Sequence, residues 1–249
     1  MKALITGASS GIGREMAIQL SDMGYDLILV ARRKKKLEEL KKQLGTKVEI
    51  ISLDVSSTFN CMKLYNKVKK EDIEIVINNA GFGLFGEFTE TDMDKELDMI
   101  DTNIKAVHIL TKLFLKDFKE KDHGYILNVA SSAAFFSGPL MATYYATKGY
   151  VLKLTEAVSE ELRRQDSNVY IGALCPGPVN TEFNDVAKVK FSVKALESKD
   201  VVSYAINKMF AKKTIIIPGI TMKLTSLAKF LPRKLILRIN YNIQKKKDV

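Results

Sequence analysis

Apolar residues fall into two recurring patterns along the chain. Short continuous runs (KALITGA, DLILVAR, VEIISLDV, IEIVINNAG, GYILNVASS, NVYIGALCPGPV and TIIIPG) read as strands buried on both faces. Stretches with helical periodicity lie between them. In GIGREMAIQLSDMG the apolar positions are Ile12, Met16, Ile18, Leu20 and Met23, and KKLEELKKQLG reads as a charged helix stopping at Gly45. Strands buried on both faces need helices on both faces, and a parallel crossover is usually a helix. The alternation therefore predicts an α/β fold: a Rossmann-like, doubly wound parallel sheet in three αβα layers, forming one domain.

Two segments break the rhythm. Residues 182–212 stand between the sixth and seventh strands and read as two helices, a place for a substrate lid within a nucleotide-binding domain spanning 1–220. Residues 221–249 form a basic amphipathic tail with eight Lys/Arg and one Asp. There Leu224, Leu227, Leu231 and Leu235 fall at helical spacing, interrupted by Pro232. Such a tail suits either packing on the core or a second subunit, or weak contact with a membrane surface. The break at Pro232 favours packing.

Composition narrows the picture. A chain of 249 residues with 46% hydrophobic and 27% charged content can bury a full core and is not a disordered chain. The net charge of +10 raises nucleic acid as a partner, but the lysines are spread over helix faces, as in RRKKKLEELKKQ. A solvated basic surface, favourable to anionic ligands, is the expectation, with no nucleic-acid partner. Cys61 and Cys175 are far apart without a CxxC motif, and His108 and His123 lack ligand spacing, so neither a disulfide framework nor a metal is expected. No run of about 18 uncharged apolar residues suggests a membrane span. Met1 leads straight into the first strand without a signal-peptide core, and a cytoplasmic location is the expectation.

The chemistry begins at TGASSGIG, Thr6 to Gly13, between the first strand and first helix. Gly7, Gly11 and Gly13, with Ser9, Ser10 and Ile12 between them, allow a tight turn whose amides approach a pyrophosphate at a helix N-terminus. A carboxylate ending the second strand would select NAD through the adenosine ribose hydroxyls. Here VARRKKK puts Arg32 and Arg33 at that place. Two guanidiniums suit a 2′-phosphate, so NADP(H) is the expected cofactor, with Ser9 or Ser10 adding a hydroxyl.

TYYATKGYVLK, Thr143 to Lys153, carries two adjacent tyrosines and a lysine. On a helix, a residue four positions on lies about 40° around the axis, and one three on about 60° the other way. Lys148 can therefore neighbour Tyr144 or Tyr145, and geometry leans only mildly to Tyr144.

TGASSGIG, NNAG (78–81), NVASS (128–132), YYATK (144–148) and PGPVNT (176–181) occur in that order. This series resembles the short-chain dehydrogenase/reductase family, and two longer stretches (GPLMATYYATKGYVLKLTEAVSEEL and DTNIKAVHILTKLFL) are similar to its bacterial branch once labelled DltE-like. The resemblance implies hydride transfer between NAD(P)(H) and alcohols or carbonyls. Its YxxxK register selects Tyr144 with Lys148 and leaves Tyr145 to packing. It makes Ser131 the active serine, with Ser132 as fallback, and Asn103 the residue that holds a water in a proton relay. Tyr144 is then the proton donor, Ser131 orients the carbonyl oxygen, and Lys148 favours the phenolate and binds the nicotinamide ribose. For the cofactor, the resemblance places Asp54 and Val55 near the adenine and Asn79, Ala80 and Gly81 along the adenosine ribose. Pro176, Gly177, Val179 and Thr181 would pass under the nicotinamide. A homodimer or homotetramer through the helices of Asn103 and Tyr144 is also implied.

The expected activity is that of an NADP(H)-dependent oxidoreductase acting on a small, apolar carbonyl or alcohol compound. Its pocket is expected to use Phe135, Phe136, Leu140, Met141 and part of 182–212. The competing class is a cofactor-binding sensor without turnover, against which the complete Ser131, Tyr144 and Lys148 set argues, since a sensor has no need of a proton donor.

Overall fold

The computed structural model describes residues 1–183, 195–219 and 232–245. Seven strands form one parallel sheet: β1 (Lys2–Thr6), β2 (Asp26–Ala31), β3 (Val48–Ser52), β4 (Ile73–Asn78), β5 (Tyr125–Val129), β6 (Tyr170–Leu174) and β7 (Ile215–Ile216). Their spatial order is β3-β2-β1-β4-β5-β6-β7. The chain winds outward from β1 to β3, then returns to the other side of β1 with β4. The order reverses between β1 and β4, and ligands of such sheets sit in the crevice at the carboxyl ends beside that reversal.

The helices are α1 (Gly11–Asp22), α2 (Lys34–Lys41), α3 (Thr58–Val68), α4 (Met93–Ile100), α5 (Val107–Lys121), α6 (Ala142–Arg164), α7 (Ser198–Phe210) and α8 (Arg233–Lys245). Successive strand residues face opposite layers, as the continuous apolar runs require. Ala3, Ile5, Leu27 and Leu29 join Met16, Leu20, Leu37, Val202 and Met209 on one side. Leu4, Ile28 and Val30 join Leu64, Leu110, Phe114, Phe118 and Leu162 on the other. The seven-strand parallel sheet covered by helices is the predicted Rossmann-like architecture.

Polar side chains are buried in the sheet and linked by hydrogen bonds, although the Asn78 side-chain oxygen has no partner among the described residues. Asn78 on β4 donates to Asn128 on β5 at 2.9 Å and to Thr111 on α5 at 3.1 Å. Asn128 donates in turn to Thr155 on α6 at 3.0 Å. This network ties the two strands that carry the candidate site to the helices behind them, and burial makes an unpaired amide costly enough to enforce the register.

Pro232 opens α8. It lies just before the first helical residue, where its missing N–H costs nothing, and its carbonyl accepts from Leu235 and Ile236 at 3.0 and 3.2 Å. The sequence reading treated Pro232 as an interruption of one helical stripe. Leu224, Leu227 and Leu231, along with 184–194 of the expected lid, lie outside the described residues. Within 182–212, one helix is described, α7.

Candidate active site

The glycine loop is built around close backbone contacts. Gly7 and Gly11 have φ of 65° and 55°, in the left-handed region where a side chain is strained. A Cβ on Gly13 would stand 2.5 Å from the Gly7 carbonyl oxygen, so the third glycine lets the helix start press against the loop. The loop is pinned from β4: the Asn79 side chain donates to the carbonyls of Thr6 and Gly7 at 3.1 and 3.2 Å, and the Asn79 and Ala80 amides donate to the Thr6 hydroxyl. The result is a pinned turn with amides at a helix N-terminus, a cradle suited to a pyrophosphate.

At the loop's outer rim stand the two arginines. Arg32 pairs with Asp54 at 3.5 Å, both well exposed. Arg33 turns back over the loop and donates to Ser9 and Ser10 at 2.9 and 2.8 Å and to the Glu182 carboxylate at 2.7 Å. Lys36 pairs with the same carboxylate. These two cations hold the Glu182 carboxyl down at about 2.

The other end of the site rests on β5 and α6. Ser131 follows β5, and its hydroxyl accepts from the Ala133 amide at 3.1 Å, starting one 3-10 turn (Ser132–Phe135). Burial pushes the Tyr144 phenol up to about 12, with Ser131 acting in the lowering direction. One helical turn on, the Lys148 ammonium lies 5.9 Å from the centre of the Tyr144 ring and donates to the Val129 carbonyl at 2.9 Å. Burial lowers the Lys148 pKa to about 8. Tyr145 faces elsewhere: it accepts a hydrogen bond from Gln244 of α8, and its ring lies where a Cβ on Gly138 would be.

Between the arginines and the tyrosine runs one cavity of about 680 Å³, along the carboxyl ends of β1, β2, β4, β5 and β6. A family model described as short chain dehydrogenase matches residues 1–190. The chain belongs to the short-chain dehydrogenase/reductase family. Among its relatives is an uncharacterized oxidoreductase from Staphylococcus epidermidis, 33% identical over 211 residues, which cover 83% of this chain and 90% of that protein. An NADP-dependent 3-hydroxy acid dehydrogenase from Schizosaccharomyces pombe is 36% identical over 191 residues, covering 74% of this chain and 73% of that one. Among solved structures, a short-chain dehydrogenase from Sphingobium yanoikuyae in complex with NADPH superposes with a TM-score of 0.82 at 28% identity, covering 91% of each chain.

In this short-chain dehydrogenase/reductase, the predicted residues converge. Gly7, Ser9, Ser10, Gly11 and Ile12 line the cavity, as do Arg32, Arg33, Asp54 and Val55. So do Asn79, Ala80, Gly81, Ser131, Tyr144, Lys148, Pro176, Gly177, Val179 and Thr181. Gly13 and Asn103 stand behind the wall. The Asn103 side chain is fully buried: its amide donates to the Phe82 carbonyl at 2.9 Å and Thr147 at 3.1 Å, and its carbonyl accepts from the Phe82 amide at 3.1 Å. It sits in a π-helical turn, Asp101–Ala106, which breaks the regular ladder between α4 and α5. Phe135, Phe136 and Met141 line the pocket, whereas Leu140 does not and instead adopts a φ of 63°. Ser132, the fallback serine, also lines it.

Part of 182–212 was expected in the pocket without its residues being named, and α8 was not expected there. Glu182 and Phe183 follow the PGPVNT stretch, and the Phe183 ring packs 5.4 Å from that of Tyr144. Ile236, Ile239, Asn240 and Ile243 of α8 also line the cavity. The alternating basic and apolar residues of the tail marked a helix, but nothing local tells which wall a terminal helix completes. Among the described residues no cluster of acidic, histidine or cysteine side chains is arranged to hold a metal.

Proposed function

We propose that this protein is an NADP(H)-dependent oxidoreductase that interconverts a carbonyl and a secondary alcohol on an apolar substrate. The observation that carries the reading is the junction of two parts in one cavity: the glycine cradle with its arginine rim, and Ser131, Tyr144 and Lys148 at the opposite end. The cradle fits a dinucleotide because its positive-φ glycines leave amides uncovered. Arg32 and Arg33 would hold a 2′-phosphate, Asp54 and Val55 would flank the adenine, and Asn79, Ala80 and Gly81 the adenosine ribose. Pro176, Gly177, Val179 and Thr181 would border the nicotinamide, and Lys148 would hold its ribose. When bound, the reduced cofactor supplies the hydride.

The chain's own residues handle the proton. In reduction, Tyr144 gives its phenolic proton to the carbonyl oxygen, and Ser131 donates a hydrogen bond that holds that oxygen in place. A phenol at about 12 is a strong enough donor only if charge beside it stabilises the phenolate left behind. Lys148 is a cation beside it, 5.9 Å from the ring centre, and each unit of lowering corresponds to about 1.4 kcal/mol of phenolate stabilisation. Asn103 acts on this end through position: by bridging Phe82 and Thr147 it sets the spacing of the β4 loop and α6, and the π turn around it frees backbone for a water of the proton relay.

The substrate end is apolar, with Phe82, Phe135, Phe136, Met141, Phe183 and the α8 isoleucines around it. That lining favours a hydrophobic aldehyde or ketone. Met93, Leu97 and Tyr150 are exposed on α4 and α6, which supports a homo-oligomer formed through those helices. The test is NADPH oxidation with a panel of apolar aldehydes and ketones, run beside NADH. Turnover with NADPH that vanishes in Tyr144→Phe is expected. Preference for NADH refutes the arginine assignment, and unaltered turnover in Tyr144→Phe refutes the proton donor.

A further inference from the structure

Helix α8 is held by amides and leaves much of its apolar surface exposed. Its residues fall into rows four apart, which align along a helix. Ile236, Asn240 and Gln244 form the inward row. Asn240 donates to the Ser137 carbonyl at 2.9 Å, and Gln244, only 1% exposed, donates to the Tyr145 hydroxyl. The next row is Leu235, Ile239 and Ile243, exposed by 46%, 44% and 43%. The row beyond it carries Lys234 and Arg238, with Arg233 and Lys245 at the helix ends and no acidic residue anywhere in α8. A surface helix ordinarily buries its apolar row and exposes its polar one. Here two amides are turned inward with Ile236, while Leu235, Ile239 and Ile243 stay nearly half exposed beside cations.

We propose that α8 docks on an anionic lipid surface, with Leu235, Ile239 and Ile243 entering the headgroup boundary and Lys234, Arg238 and Lys245 meeting the lipid charge. An exposed apolar row flanked by basic side chains is the arrangement of an interfacial helix. Lys and Arg stems lie along such a boundary while their charges stay in the headgroup layer. Charge selects this occupant over a second copy of the chain, because an isologous contact through α8 would bring each helix's four cations toward their counterparts. Ile239 and Ile243 also line the cavity. A docked molecule therefore opens its pocket at the lipid boundary, and an amphiphilic carbonyl compound could enter without crossing water. Docking itself stands on α8 alone; only that route of entry rests on the oxidoreductase reading.

The experiment is co-sedimentation of the full chain with phosphatidylcholine vesicles, with and without phosphatidylglycerol. Wild type is expected to bind the anionic vesicles and to be released by high salt. Each basic residue near such a surface contributes about fivefold, so Lys234→Gln with Arg238→Gln and Lys245→Gln should lower partitioning about a hundredfold. Leu235→Ser with Ile239→Ser should weaken binding even at low salt. Circular dichroism melts establish that each variant is folded, and need no cofactor or turnover. The proposal is overturned if wild type ignores anionic vesicles, if it binds neutral and anionic ones alike, or if both variants bind as wild type does. It is also overturned if sedimentation velocity shows that the Leu235 and Ile239 changes dissociate an oligomer, which would mean that a second copy covers the row.

Discussion

Arg33 and Glu182 form an ion pair at 2.7 Å across the rim of the glycine loop, although 149 positions separate them. The same guanidinium donates to Ser9 and Ser10. A carboxylate thus engages the cation that the proposed 2′-phosphate needs. Its neighbour Phe183 packs on Tyr144, so one dipeptide touches both ends of the site. Glu182→Gln should free Arg33 and Lys36. Half-exposed pairs of this kind contribute about 0.2–1 kcal/mol, so NADPH should bind up to about fivefold more tightly while NADH binding stays put. Fluorescence titration of both nucleotides checks this.

Loss of the cation itself works in the opposite sense. Arg33→Ala removes a charge-assisted contact of about 1.5–3 kcal/mol. The ratio of NADPH to NADH affinity should fall by about ten- to a hundredfold, with NADH affinity nearly unchanged. A matching loss for both nucleotides would mean that Arg33 supports the loop and not the phosphate.

The adjacent tyrosines should separate cleanly by substitution. Tyr144→Phe removes the proposed proton donor, and kcat should fall by about 10²–10⁴ while the fold persists. Tyr145→Phe removes the hydroxyl that Gln244 meets, leaving a buried amide short of a partner. It should loosen α8 by about 1–3 kcal/mol, seen as faster hydrogen exchange across Arg233–Lys245, with kcat falling far less than in Tyr144→Phe.

Lys148 has a signature in stability. Burial lowers its ammonium from an ordinary 10.5 to about 8 in the folded chain. Below about 8 both states hold the proton, and the folded state bears the cost of burying it. From about 8 to 10.5 only the unfolded chain keeps the proton, so this residue makes stability rise with pH. Cys61 and Cys175, whose thiols are raised by burial, push the other way above 9.0. Subtracting a Lys148→Met profile removes the Cys61 contribution and most of that of Cys175, whose pKa Lys148 itself lowers slightly. The difference, wild type minus variant, should climb across that window by up to about 1.4 kcal/mol per pH unit, measured by urea denaturation.

Much of the site was legible because it is local. Gly7 and Gly11 need positive φ within a single turn, and Tyr144 and Lys148 are neighbours on one helix whatever else the chain does. Ser131 sits at the end of a strand whose apolar run marks its boundary. Asn103 was legible as a position, but the partners of its side chain were not. Its amide is spent on Phe82 and Thr147, contacts that depend on how α4, α5 and α6 pack. Leu140 was expected in the pocket, but a left-handed backbone there leaves it out of the lining.

By itself the sequence determined the alternation of strands and helices, hence the layered parallel sheet, and the chemistry available at each strand's carboxyl end. Those properties follow from side-chain periodicity and backbone freedom over a few residues. Tertiary structure alone decided that Glu182 would answer Arg33, that Tyr145 would anchor α8 across 99 positions, and that α8 would line the pocket. Contacts between segments so far apart leave no periodic trace in either segment. They arise only when the packed sheet brings both to the same edge.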